Sequence, residues 1–378
     1  MNASFQRLMA EATRLTQSGD LQAATAAIQA ALGQHGEPAN DPGEVFDVQA
    51  REIQPLPALP PLAGAHSPGV APAGDTVAEP VAPIPSTQPS EPSPPALQPE
   101  GRFITGRHTD AAATRDYKLF IPPGYRGQPL PLVVMLHGCT QHPDDFAAGT
   151  GMNRLAMAQE CFVLYPAQSQ KANPQRCWSW FKHSHQRRGR GEPALLAGMT
   201  RAVMAQYAID PRRVYVAGLS AGGAMAAILG QTYPELFAAV GVHSGLPAGA
   251  AQDLPSALAA MKSGAASTAA GRAPPTIVFH GDQDHTVHSI NGEQAVAASA
   301  GAAAFERERA RSRNGRHYTR RVYRGADGQV VAEHWLVHGA GHAWSGGHAG
   351  GSYTDAGGPD ASAEMLRFFQ QHPLPPAA

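Results

Sequence analysis

Four short runs constrain this chain more than any other feature. They are PLVVMLHG at 131–138, CFVLYP at 161–166, RRVYVAG at 212–218 and PTIVFHG at 275–281. None alternates apolar with polar over its core. A strand built from such a run must be buried on both faces, as in the middle of a parallel sheet covered by helices. The intervening segments suit those helices: 151–159, Glu192 to about Tyr207, 221–233 stopping before Pro234, and about 360–371. Pro193 sits at a helix start, where its missing N–H costs nothing. RDYKLFIPPGY reads as a strand ended by prolines, and LFAAVGVHSG as a further buried strand. YTRRVYR and QVVAEHWLVHG flank an Ala-Asp-Gly turn and are expected to pair as a hairpin. Strands alternating with helices predict an α/β fold with a mostly parallel sheet over residues 101–378. The Ala/Ser/Gly-rich stretch 247–273 is expected as an excursion above that sheet.

The chain before this domain has a different character. In residues 1–33, Phe5, Leu8, Met9, Ala12 and Leu15, and then Leu21, Ala24, Ile28 and Leu32, recur at helical spacing around Ser18-Gly19-Asp20. That predicts a helical hairpin, slightly like one tetratricopeptide unit. A single such unit cannot bury its apolar face alone, so it is expected to dock on the main domain, a partner protein or an apolar polymer granule. Residues 34–100 are dominated by Pro, Ala, Ser and Gly, which predicts a disordered, semi-rigid linker.

Charge narrows the partners. With 29 basic and 30 acidic residues, the net charge of -1 offers no general grip on nucleic acid. The run Arg187-Arg188-Gly189-Arg190 is read as a solvated loop. No membrane-spanning stretch and no continuous apolar leader is legible in MNASFQRLMAEATRLTQ, which favours a cytoplasmic protein, with an extracellular location as the alternative. Three cysteines do not make a disulfide framework. Cys161 reads as a buried small residue. Cys139 and Cys177 can pair in an oxidising compartment, which the sequence alone does not decide. No metal-ligand spacing occurs, and no cofactor is expected.

The chemistry centres on Gly218-Leu219-Ser220-Ala221-Gly222, a G-x-S-x-G pattern between a strand and a helix. That setting turns a short and common pattern into a nucleophile elbow, with Ser220 on a tight turn above a helix N-terminus. A serine hydroxyl needs a base. His342 lies in a glycine-flanked loop past the last strand and is chosen for that role, while His338 at the strand end is read as structural. Asp284 is chosen as the acid that orients the imidazole, and Asp282 as a brace of the same loop. Backbone N–H groups of Ala221 and Cys139 are the expected oxyanion donors. Trp178, Trp180 and Trp344 lie in loops and are expected to line an apolar substrate groove.

The ordered set LHGCTQ, YPAQ, CWSWF, RGRGEPALLAGM, GLSAGGAMA, HSGLPAG, HGDQDHTV and GHAWSGG with GGPDASAEMLRFF resembles the polyhydroxybutyrate depolymerase family of esterases, within the α/β-hydrolase superfamily. The resemblance runs from about Arg115 to about Phe369. It implies an α/β-hydrolase fold, Ser220, Asp284 and His342 as the triad, and carboxylic esters as substrates. Those esters are polyhydroxyalkanoates, feruloyl or acetyl esters of plant polysaccharides, or small synthetic esters. Family members are often secreted; this chain departs from them in showing no export signal and in carrying the added hairpin and linker.

Overall fold

The computed structural model describes residues 101–110, 113–265 and 273–376. The hairpin expected at 1–33 and the linker expected at 34–100 lie outside these residues. Within them, the apolar runs become the strands β3 (Leu130–Leu136), β4 (Phe162–Pro166), β5 (Ile209–Leu219), β6 (Ala239–His243) and β7 (Thr276–Gly281). With β1 (Arg102–Thr109), β2 (Thr114–Ile121), β8 (Phe305–Arg311), β9 (His317–Arg324) and β10 (Val330–Val337) they form a sheet of order β1-β2-β4-β3-β5-β6-β7-β10-β9-β8. The six strands from β4 to β10 run parallel, while β1, β2, β9 and β8 are antiparallel additions at the two edges. The hairpin expected around Ala326-Asp327-Gly328 is the β9–β10 pair.

The described residues also hold seven α-helices, α1 (Pro143–Thr150), α2 (Met152–Ala158), α3 (Gly191–Gln206), α4 (Ala221–Thr232), α5 (Leu254–Ser263), α6 (Ile290–Ala300) and α7 (Ala361–Gln370), a 3-10 turn (His183–Gln186) and a two-stranded sheet of β11 (Trp344–Ser345) and β12 (Thr354–Asp355). Strand β3 explains why the central runs show no alternation. Leu132, Val134 and Leu136 enter one core with Leu196, Met199, Met225, Ile228 and Val296 from α3, α4 and α6. Val133 and Met135 enter the other with Phe146, Met152, Met365 and Phe369 from α1, α2 and α7. Both faces are dry, so every position of the strand must be apolar.

The order also places the site. Strand β4 lies on one side of β3 and β5 on the other, so the connections leaving β3 and β5 diverge. At such a switch point the carboxyl ends of adjacent strands leave a crevice for a ligand. The loop after β3 carries Cys139, and the turn after β5 carries Ser220.

Candidate active site

Strand β5 turns into α4 at Ser220, whose backbone adopts φ 57 and ψ -119. A non-glycine residue rarely adopts this conformation, and here the surrounding structure imposes it. The Ser220 N–H donates to the His243 carbonyl at 2.8 Å, and its own carbonyl accepts from Ala224 N–H at 3.0 Å. The flanking glycines follow from the same crowding. A Cβ on Gly222 would lie 2.0 Å from the Leu136 carbonyl oxygen, and one on Gly218 2.4 Å from the Gly222 carbonyl carbon. Backbone cannot yield as a side-chain tip can. Gly222→Ala is therefore expected to destabilise the protein by about 3 kcal/mol or more, lowering Tm by roughly 6 °C or more. Thermal unfolding followed by circular dichroism checks this; an unchanged Tm would mean that the elbow relaxes freely.

Strands β7 and β10 deliver two histidine–aspartate pairs. His342 Nδ1 donates to Asp284 Oδ2 at 2.7 Å. His338 Nδ1 donates to Asp282 Oδ2 at 2.8 Å, and its Nε2 meets Thr319 Oγ1 at 2.8 Å. Asp282 also accepts from Gly339 N–H at 2.7 Å, so this second pair ties the β7 and β10 loops together. His243, whose carbonyl holds Ser220, is close enough to His342 and Asp284 to feel both charges.

Asp284 is 5% exposed, and burial by itself would raise its pKa. Hydrogen bonds with His280 and His342, the His342 charge and the Val287 N–H outweigh that and hold it well below the usual carboxylate range. Its other oxygen accepts from Thr286 and Val287 N–H, both at 2.9 Å. The carboxylate is thus fixed and ionised, able to hold His342 Nδ1–H and leave Nε2 as the base. His280, next to last in β7, also reaches the Asp284 carboxylate. It sits with Nε2 3.4 Å from Asp284 Oδ2 and 2.8 Å from the Val287 carbonyl. Its spacing of four residues from Asp284 across a Gly-containing turn was the available signal.

The loop after β3 is tied down from several sides. His137 Nδ1 donates to the Gly138 carbonyl at 2.8 Å, and its Nε2 accepts from Gln168 N–H at 3.1 Å. Gly138 N–H donates to Gln141 Oε1 at 2.9 Å, and Thr140 N–H to the Gln175 carbonyl at 2.6 Å. A disulfide joins Cys139 to Cys177, the pairing that the sequence left open. Among the described residues, neither the Cys139 nor the Ala221 amide donates to an intramolecular acceptor, leaving both free for an oxyanion.

The three tryptophans are a correction. Trp178, Trp180 and Trp344 are 0%, 5% and 1% exposed, so none lines an open groove. Trp178 donates to the His137 carbonyl at 3.1 Å and supports the loop after β3 from below. Trp344 stacks on His243 at 4.9 Å between centroids and donates to Ser362 Oγ. Each buried indole has an apolar body to pack, and for Trp178 and Trp344 the N–H is satisfied inside.

Burial also governs three histidines. It pushes His137 down to about 4 and His334 to about 3, and, aided by the nearby His280 and His342, holds His243 well below its ordinary value. Unfolded histidines take up protons near pH 6.5, whereas these stay neutral in the fold. The unfolded state therefore binds more protons, and stability is lost as pH falls from about 6.5 through those lower values. Each group contributes about 1.4 kcal/mol per pH unit once the difference is complete. Urea unfolding at pH 7, 6 and 5 checks this above the range where ordinary carboxylates titrate. Equal midpoints across that series would refute it.

A mostly parallel sheet flanked by helices, with a serine at the tight turn after β5 and an aspartate–histidine pair after β7 and β10, has the α/β-hydrolase fold. Within that class the chain belongs to the esterase PHB depolymerase family, whose profile matches residues 115–317. It is 32% identical over 226 residues to poly(3-hydroxyalkanoate) depolymerase C of Paucimonas lemoignei, covering 56% of this chain and 54% of that protein. It is also 32% identical over 147 residues to probable acetylxylan esterase A of Aspergillus fumigatus, covering 39% of this chain and 38% of that one. The chain thus spans about half, or less, of the length of these relatives. Among solved structures, an acetyl xylan esterase from Aspergillus awamori is similar in fold, with a TM-score of 0.56 and 19% identity over 71% of this chain and 99% of that one.

Proposed function

We propose that this protein hydrolyses carboxylic esters through Ser220, His342 and Asp284, and that its substrates are polyesters of the polyhydroxybutyrate type. The observation that carries the reading is the pairing of His342, after β10, with Asp284, after β7, at 2.7 Å, together with a serine held at φ 57 at the strand–helix turn after β5. Family membership supports it, as does the similarity to a poly(3-hydroxyalkanoate) depolymerase. In this mechanism His342 takes the Ser220 proton as Oγ attacks the ester carbonyl. The amides of Ala221 and Cys139 hold the developing oxyanion. His342 then gives the proton to the leaving alcohol, and a water activated by the same imidazole releases the acid and restores Ser220.

A second reading keeps the chemistry and changes the substrate to an acetyl or feruloyl ester of a plant polysaccharide. The similarity to an acetylxylan esterase favours it. Purified protein offered amorphous polyhydroxybutyrate, acetylated xylan and a feruloyl ester separates the two. Release of 3-hydroxybutyrate is the expected result. Release of acetate or ferulate alone moves the assignment to the second reading, and turnover of none of the three overturns both.

The Cys139–Cys177 disulfide supports action in an oxidising compartment rather than the cytoplasm. Thiol titration of the denatured protein, taken from its native source without reductant, is expected to find only Cys161 free. Finding all three thiols reduced would return the protein to the cytoplasm.

A further inference from the structure

A cleft of about 770 Å³ borders the loop after β3, and its lining is cationic. Arg107, Arg115, Lys171 and Arg176 line it, and Asp116 is its one carboxylate. Asp116 already accepts from Arg107 Nε at 2.7 Å. Arg115 donates only to neutral acceptors, Gln168 Oε1 at 3.2 Å and the Thr114 carbonyl at 3.0 Å. Lys171 and Arg176 have no carboxylate partner among the described residues. Neighbouring acids are taken. Asp144, beside the lining residue His142, pairs with Lys118 at 2.9 Å, and buried Glu192 behind Gln168 accepts from Gln168 Nε2 and Ser179 N–H. A chain with net charge -1 thus concentrates uncompensated positive charge in this cleft.

Part of this charge is tied through the backbone to the loop after β3. Arg176 has a left-handed backbone at φ 51, and its N–H donates to the Asn173 carbonyl at 2.8 Å. The next residue, Cys177, is bonded to Cys139, whose amide is the proposed oxyanion donor. The preceding residue, Gln175, accepts from Thr140 N–H. The backbone that carries this cation is therefore joined to the loop after β3. Positive charge lining a cleft selects an anion, and guanidinium groups suit carboxylates in particular.

We infer that this cleft holds the free carboxylate end of a short hydroxy-acid oligoester, so that the segment leaving on the alcohol side of the cut bond lies in it. The inference rests on the polyester reading above, and its chemistry fixes the direction. An oligomer of a hydroxy acid has a hydroxyl at one end and a carboxylate at the other. For any ester bond in it, the carboxylate end belongs to the alcohol fragment. The acyl fragment stays on Ser220, while the fragment in the cleft departs with the proton from His342 and carries its carboxylate away.

The test uses the full chain as Ser220→Ala, so that binding is read without turnover. Titration calorimetry compares the 3-hydroxybutyrate trimer as free acid with its methyl ester. The free acid is expected to bind about tenfold tighter, the scale of a few partly screened charge contacts. That preference should shrink at 0.5 M NaCl, where screening shortens to a few ångströms (about 4 Å), and disappear in a Lys171→Gln, Arg176→Gln background. Equal binding of acid and ester, or a preference that survives the two substitutions, overturns the inference. Glucuronate binding as tightly as the trimer acid, with the same dependence on Lys171 and Arg176, would assign the carboxylate to a uronic acid and overturn the oligoester as its source. The wild-type chain is assayed on the same two trimers. If neither is cleaved while the binding preference holds, the polyester reading fails and the carboxylate site stands.

Discussion

Ser220→Ala is expected to lower kcat on a soluble ester by about 10⁴-fold or more while leaving substrate affinity and Tm close to wild type. The size follows from the division of labour in the proposed site. The hydroxyl is the group that forms the covalent bond, and an alanine there leaves His342 with no proton to take. What remains is the oxyanion site and the positioning of the substrate, worth about three orders of magnitude over water in enzymes of this kind. Stability should be spared because Ser220 is held by its backbone, through the His243 carbonyl and Ala224 N–H, and Ala keeps both bonds. Alanine also adopts φ 57 no less easily than serine. Initial rates on p-nitrophenyl acetate, with thermal unfolding run alongside, check both halves. A variant that retains a tenth of wild-type kcat would remove Ser220 from the covalent step, whatever its geometry.

What could be read before folding depended on how local the determining physics is. The buried strands were legible because both faces of each are dry, which forces a continuous apolar run such as Leu132 to Leu136. The turn at Ser220 was legible because two glycines are needed where backbone meets backbone. Strand β8 escaped notice: FERERAR is exposed along almost its whole length, so no periodicity betrays it, and only its register with β9 makes it a strand. Helix α6, INGEQAVAASA, is built from small residues whose weak amphipathic pattern gives little direction. The tryptophans were misread because position in a loop says nothing of depth. The segment 176–181 dives under the loop after β3, where a carbonyl of His137 meets the Trp178 N–H. Pairings across the chain were out of reach for the same reason. That Cys139 meets Cys177, or that His342 meets Asp284, depends on where separate segments come together.

The two aspartates of HGDQD provide the sharpest internal contrast, because each holds a histidine from the same loop and only the Asp284–His342 pair is proposed to serve Ser220. Asp284→Asn is expected to reduce kcat by about 10⁴-fold. An amide in place of Oδ2 either points an N–H at His342 Nδ1, which reverses the tautomer and leaves Nε2 protonated, or turns its oxygen there and breaks the bonds from Thr286 and Val287. In neither orientation is a negative charge left to stabilise the imidazolium formed as Ser220 attacks. Asp282→Asn is expected to lower kcat by less than about tenfold and to act mainly on stability, by about 1–2 kcal/mol, since Asp282 joins His338 and Gly339 to the β7 loop rather than serving the serine. The two single variants, each measured for kcat and for urea unfolding, separate the roles. If Asp282→Asn proved the more damaging to kcat, His338 would replace His342 as the base. Comparable losses of about 10²-fold from both would mean that the loops after β7 and β10 position the imidazole as one unit, with neither carboxylate acting alone. The geometry argues against that outcome. Asp284 is fully dry, fixed by two backbone amides and shared with His280, whereas the Asp282–His338 pair is partly open to water. A charge that must stabilise its partner during the reaction is worth most where water cannot screen it.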